Sequence, residues 1–295
     1  MQYVSHGELL QRLKDILANY LELTAELKIG FPLSEESKHW MVLITYVLEE
    51  IQLRFGSYPA GYPDGFMADA QIPRPGAARA GQAIEAVRQQ AVALGTYLVK
   101  YGRSQYLCPA FEQGLIRISP ATFYNDPSLN PAIRDDELAL SIQGKSDDVK
   151  IEVLDKHARE SLRTIQPIGN ITVTTQAQTN YYVYCLSAVL APRLFLDFDA
   201  DACLLITEWR SFVERLLRGV AEQLPNWNGF ATVVRYIDPL RSMVAELDPI
   251  FGKHFRYTYQ REYRVACLPP EPVTELSSLT MQLGSLADCC DLICL

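Results

Sequence analysis

No GxGxxG, Walker loop, GxSxG, HExxH or EF-hand pattern occurs in the chain. The usual sequence evidence for dinucleotide folds, P-loop enzymes, serine hydrolases, zinc proteases and calcium sensors is therefore missing. No uninterrupted apolar run approaches the roughly 20 residues that a bilayer-spanning helix needs. The opening stretch MQYVSHGELLQRLKDIL has no basic segment followed by an apolar one, so it does not read as a secretory signal. The seven cysteines (108, 185, 203, 267, 289, 290, 294) form no CxxC pair and no Cys/His metal spacing. They read as free thiols in a reducing cytoplasm rather than as a disulfide frame or a zinc site. An excess of positive charge is also absent. The formal net charge of −8 argues against gripping nucleic acid by bulk electrostatics, while leaving a local basic groove open.

What is present is enough for a sizeable core: 48% of the 295 residues are hydrophobic and 21% charged, with no low-complexity tract. Residues 7–28 place Leu9, Leu10, Leu13, Ile16, Leu17, Tyr20, Leu21 and Leu23 at helical spacing behind Ser5, a capping residue. Ser34, then Ser37 and an apolar run, predict a second helix over about 36–55, ended by Gly56. Residues 57–77 are rich in proline and glycine and read as a loop. An Ala- and Gln-rich stretch predicts a third helix over about 78–95. These make a helical N-terminal module, 1–95.

The texture changes at Thr96. TYLVKYG reads as a strand, SQYLCPAFEQG as a short helix ended by Gly114, and LIRIS as a strand. A polar loop follows over 120–136. ELALSIQG, VKIEVLD, NITVTTQ, NYYVYCLSAV, ACLLI, FATVVRYID, EYRVACL and LTMQLGSL carry strand character, and TEWRSFVERLLRGVAEQL is an amphipathic helix with Thr207 as its expected cap. Strands outnumber helices and do not alternate with them, which predicts an α+β domain over 96–295.

Three segments carry polar groups suited to chemistry. Tyr101-Gly102-Arg103 closes a strand, where an arginine can take a phosphate bidentately, and Tyr124-Asn125-Asp126-Pro127 follows in the polar loop. Each has a structural reading too, as a solvated loop arginine and an Asx turn. Ser187 ends the aromatic strand YVYCLS, where it either supports a neighbouring side chain or caps a turn. The third segment is YTYQREYRVACLP. In extended structure Gln260 and Glu262 share a face, so both project into one cleft. There the carboxylate can accept from a ribose hydroxyl or stabilise an oxocarbenium-like cation. Its structural alternative is a salt bridge from Glu262 to Arg261, Arg264 or Arg235. Asp135, Asp136 and Glu137 in succession suggest a divalent metal, but neighbouring carboxylates on a strand face opposite ways, so a solvated loop is the expectation. The four histidines (6, 39, 157, 254) lie far apart, as core or surface residues.

QREYRVACLP resembles the Gln/Glu-x-Glu element and following strand of mono-ADP-ribosyltransferases. The series strand, Tyr-Gly-Arg, helix, Gly, strand, Tyr-Asn-Asp-Pro is similar to the opening of DarT-like and related bacterial toxin or defence proteins of that fold. VYCLS is similar to the Ser-ending strand of the Arg/Ser/Glu class, with Cys185-Leu186-Ser187 in place of Ser-Thr-Ser. The resemblance covers roughly residues 97–285. It implies a mixed or antiparallel split β-sheet, NAD as substrate and no metal. Arg103 or Tyr101 would bind the diphosphate, Tyr124 would stack on a base, and Asn125 and Asp126 would line the loop around the ligand. Ser187 would support the site, Glu262 would be catalytic and Gln260 would orient the acceptor. It further implies transfer of ADP-ribose to a macromolecular acceptor (protein or nucleic acid), or to water as an NAD glycohydrolase. A non-catalytic sensing protein of the same fold is the reading from another class. The N-terminal helices would then meet a regulatory or antitoxin partner, and a cytoplasmic location without membrane contact is expected.

Overall fold

A computed structural model describes residues 3–65, 78–145, 149–155 and 161–295. Residues 66–77 of the expected loop, and His157, lie outside the described residues. Helix α1 (His6–Tyr20) starts with a reciprocal cap. The Glu8 amide donates to the Ser5 hydroxyl, and the Ser5 amide donates to the Glu8 carboxylate. It buries Leu9, Leu13, Ile16 and Leu17 against Leu43, Val47 and Ile51 of α2 (Glu35–Phe55), which opens with the same device, Ser34 with Ser37. The expectation that α1 continues to Lys28 fails. The Arg193 guanidinium takes the carbonyls of Ala18 and Leu21, satisfying groups that another helical turn would have used. The chain leaves instead through a small hairpin, β1 (Glu22–Leu23) with β2 (Ile29–Gly30). Helix α3 (Ala78–Arg88) also stops short of residue 95, and Val92 beyond it packs against the cluster that holds Tyr97 and Phe195.

The expected α+β character is observed. Beyond α3 come β3 (Leu98–Gly102), α4 (Ser104–Gln113), β4 (Leu115–Pro120) and a 3-10 turn over Ala121–Asn125. Gly114 ends α4 in the left-handed region (φ 69°), where a β-carbon would run into the backbone of Gly284. Two outlying hairpins follow, β5 (Ala139–Gly144) with β8 (Ile171–Gln176) and β6 (Ile151–Leu154) with β7 (Ser161–Ile165). The remaining elements are β9 (Tyr182–Ser187), α5 (Pro192–Asp197), β10 (Ala202–Ile206), α6 (Trp209–Gln223), β11 (Asn228–Val233), β12 (Arg235–Ile237), β13 (Gly252–His254), a 3-10 turn (Phe255–Gln260), β14 (Glu262–Leu268), β15 (Leu279–Gln282) and β16 (Cys290–Cys294). Strands β7, β13 and β16 and helix α5 were not expected. Helix α6 begins after Glu208 without a side-chain cap, because Thr207 is turned to the Cys289 carbonyl.

The main sheet runs β11-β14-β9-β3-β10-β16, with every pairing antiparallel. It forks at β9. The Ser187 end of β9 pairs with Val99 of β3, while the Tyr182–Val183 end pairs with β4, which carries β15 on its far side. Between those ends, among the described residues, β9 pairs only with β14. One face of the sheet is closed by α4 and α6 over Leu98, Tyr184, Leu186, Leu204 and Val265. The other, beside Val99 and Tyr101, is closed by α5 and Ala83 of α3.

Helix α1 is fastened to the strand-rich part by buried polar contacts. Arg12 forks onto both carboxylate oxygens of Asp238, each at 2.7 Å. The Asn19 amide donates to the Phe255 carbonyl and its oxygen accepts from the Tyr259 amide. These bonds reach the 3-10 turn that leads directly into Glu262. Among the described residues no helix is long and apolar enough to cross a membrane.

Candidate functional site

The fork opens a cavity of about 380 Å³. β3 supplies Val99 to Gly102 with Arg103 at its end, and the 3-10 turn after β4 supplies Phe123 and Tyr124. The middle of β9 supplies Cys185 to Ser187, and Gln260, Glu262 and Lys253 close the far wall. The register explains the meeting: Val99 and Glu262 both pair with Ser187, from opposite sides of β9. Residues 163 positions apart thus end two strands from each other.

Gln260 and Glu262 converge by a different route from the one expected. They are not successive same-face residues of a strand. Gln260 ends the 3-10 turn, and Arg261 takes a left-handed conformation (φ 45°, ψ 54°) that swings the chain into β14. Ser187 then fixes this turn, its hydroxyl donating to the Gln260 carbonyl at 2.6 Å. The Gln260 amide donates to the Ala132 carbonyl at 2.7 Å, and the Glu262 amide to the Tyr236 phenol at 2.7 Å.

Glu262 is 4% exposed and carries two charged partners. Lys253 Nζ meets its Oε2 at 2.7 Å, and Arg264 Nε meets its Oε1 at 2.8 Å. Arg264, fully buried, also pairs with Glu137 Oε2 at 2.6 Å, and Lys253 lies 4.0 Å from Glu137 Oε1. Two carboxylates and two cations therefore neutralise one another in the far wall, with Arg264 behind it. Burial alone would raise the Glu262 pKa, but the charges of Arg264 and Lys253 override it and hold the carboxyl well below the usual range. Burial wins at Glu137, whose pKa is raised to about 7. Glu137 corrects the expectation of a wholly solvated 135–137 loop, since the pull of Arg264 buries it, whereas Asp136 stays exposed.

The structure distributes the expected residues unevenly. Tyr101, Arg103, Tyr124, Ser187, Gln260 and Glu262 all line the one cavity. Asn125 and Asp126 are exposed and lie outside its wall, and Asp126 accepts from the Ser128 amide in an Asx turn. The Tyr101 hydroxyl is committed to backbone, donating to Val189 and accepting from the Ala191 amide, so only its ring faces a ligand. Arg103 sits at the rim, 40% exposed, paired with Asp199, which also receives Arg79. The Tyr124 phenol is kept neutral by burial, which raises its pKa.

Sequence reasoning missed Lys253, the partnership of Glu137, and Lys100. Lys100 was signalled by its place inside the apolar run LVKYG, since a lysine is rarely enclosed without a reason. His254 has its pKa lowered to about 4 by burial, and its Nδ1 accepts from the Arg256 amide, so it is a neutral structural histidine. Among the described residues no group of three or more His, Cys, Asp or Glu side chains is placed to hold a metal ion.

Comparison of the chain with known protein families, with curated proteins and with solved structures finds no match.

Proposed function

We propose that the cavity at the fork binds NAD, and that the chain breaks the nicotinamide–ribosyl bond and passes ADP-ribose to a macromolecular acceptor. The observation that carries this reading is the convergence, at one sheet fork, of an ionised carboxylate, a buried glutamine, two tyrosine rings and basic side chains. In this reading Glu262 accepts from a ribose hydroxyl through a lone pair that Lys253 and Arg264 leave free, and its negative charge opposes the positive charge growing on the ribosyl carbon. Lys253 and Arg264 keep it ionised and aimed. Gln260, turned in by Arg261 and fastened by Ser187, orients the incoming acceptor. The rings of Tyr124 and Tyr101 offer apolar walls to a planar base.

One observation favours a second reading from another class. Both oxygens of Glu262 are already engaged by cations, so its field on a developing cation is largely cancelled. A pocket of this kind also suits a protein that senses a nucleotide without turning it over. Incubating the protein with NAD and measuring free nicotinamide separates the cases. Release that rises with added protein or nucleic acid supports transfer, and release without acceptor supports hydrolysis. Binding without release supports the sensor. Absence of NAD binding overturns the nucleotide reading.

A further inference from the structure

Three cationic side chains line the cavity, and two of them are already matched: Lys253 by Glu262 and Glu137, and Arg103 by Asp199. Lys100 is not. Its ammonium donates to the Cys185 carbonyl at 2.9 Å and lies 4.3 Å from the centre of the Tyr184 ring, and among the described residues it forms no ion pair. The fork explains the carbonyl contact: Cys185 belongs to the part of β9 that has lost both β3 and β4 as neighbours. One neutral carbonyl and one ring face occupy only part of a three-proton donor. The cavity therefore holds a cation with no ion-pair partner among the described residues, and the more distant charge of Glu262 offsets only part of its burial. Burial already pulls the Lys100 pKa below that of an ordinary lysine, so an anion placed beside it relieves a standing electrostatic cost.

We propose that Lys100 is the anion anchor of this cavity, binding a phosphate or diphosphate group of the ligand inside the fork. Naming that group as the diphosphate of a dinucleotide rests on the functional reading above. The anion site itself does not. Lys100 sits one strand from Ser187 and two from Glu262, so an anion on Lys100 and a ribose at Glu262 belong to the two ends of one bound molecule. Arg103, half in solvent and shared with Asp199, becomes a rim contact.

Calorimetry with inorganic pyrophosphate, ADP-ribose and adenosine tests this on the full chain. Wild type should bind pyrophosphate and ADP-ribose, more weakly at higher salt. Lys100→Met should weaken both by about tenfold or more, the size expected for a lost charge-assisted contact. Lys100→Arg should stay within about fivefold of wild type, because it keeps the charge while changing the donor geometry. Adenosine, which carries no phosphate, should bind the Met variant as it binds wild type. The assignment is overturned if wild type does not bind pyrophosphate, or if Lys100→Met binds ADP-ribose within about threefold of wild type. Should the Met variant fail to fold, wild type still decides the matter. Pyrophosphate should slow acetylation of Lys100 by an amine-reactive ester, read by peptide mass, and lack of protection overturns the anchor. Loss of anion binding in Lys100→Met without any nicotinamide release from wild type would sink the reaction and leave the anchor standing. Unaltered NAD turnover and ADP-ribose binding in that variant would do the reverse.

Discussion

Two ion-pair systems border the same cavity and differ in what surrounds them. At the rim, Arg103 and Arg79 share Asp199, whose side chain is 57% exposed. In the far wall, Glu137, Glu262 and Lys253, with Arg264 behind them, are each 4% exposed or less. Water screens the rim pairs and can replace either partner, so they contribute little to stability. The inner four have lost water and depend on each other, so removing one strands the rest. Rim charges can therefore vary without consequence for the fold, while the inner set fixes where Glu262 points.

Breaking the inner set at its centre should give the largest effect. Arg264→Met removes the group that joins Glu137 to Glu262 and leaves an excess buried negative charge. Urea unfolding should show a loss of about 3–5 kcal/mol. A loss below about 1 kcal/mol would mean that the cluster is wetter than its burial indicates.

Glu262→Gln tests chemistry and structure together. The amide keeps the shape and can still accept from one cation, but its NH2 end faces the other. A stability loss of about 1–3 kcal/mol is expected, smaller than for Arg264→Met. NAD turnover should fall about 100- to 1,000-fold if the carboxylate stabilises the transition state. Turnover within about threefold of wild type would remove Glu262 from the reaction whatever the stability does.

The inner set should also give the protein a pH dependence that the rim cannot. The folded-state pKa of Glu137 is raised from 4.5 to about 7. Between those values the native state holds a proton that the unfolded chain has lost, so stability falls as pH rises through this window. Asp15, raised to about 6 by burial, adds a slope of the same sign. Glu262 works oppositely. Its pKa is lowered on folding, so its contribution is present above 4.5 and fades as the pH drops further. His254, lowered from 6.5 to about 4 on folding, opposes Asp15 and part of Glu137 below about pH 6.5. The thermal midpoint should therefore decline most clearly between pH 6.5 and pH 7.5, and Glu137→Gln should flatten most of that decline. An unchanged slope in the variant would assign the titration elsewhere.

Much of the fold is legible locally. Ser5 and Ser34 mark their helices, Gly114 ends α4 as its neighbours suggest, and the β-branched and aromatic alternation over 182–187 and the apolar run over 263–268 give the two central strands. The misses have non-local causes. Nothing in residues 21–28 announces that Arg193, 172 positions beyond Leu21, will take the carbonyls that end α1. Strand β13 has three residues, too few for alternation to appear. The site follows the same rule. The polar entry at Gln260 and Glu262 stands out against an apolar strand, and both residues do reach the cavity. Their partners come from a three-residue strand (Lys253) and a loop (Glu137), where a single charge looks like ordinary surface. Tertiary packing, not local pattern, brings them together as ion pairs.

The rim should give the smallest effect, and it sharpens the comparison from the other side. Arg103→Ala removes one of two arginines on an exposed aspartate, and Arg79 stays to pair with it. Unfolding free energy should change by no more than about 0.5 kcal/mol. The arginine lines the cavity mouth, so ADP-ribose affinity should drop by about threefold or less, with the loss shrinking as salt is raised. Lys100→Met in the same assay should lose more, and its loss should persist at higher salt because the enclosed ammonium is screened less. If Arg103→Ala instead weakens ADP-ribose more than Lys100→Met does, the rim arginine lets go of Asp199 to hold the ligand. The phosphate site would then belong to the end of β3, as the sequence pattern at Tyr101-Gly102-Arg103 first suggests.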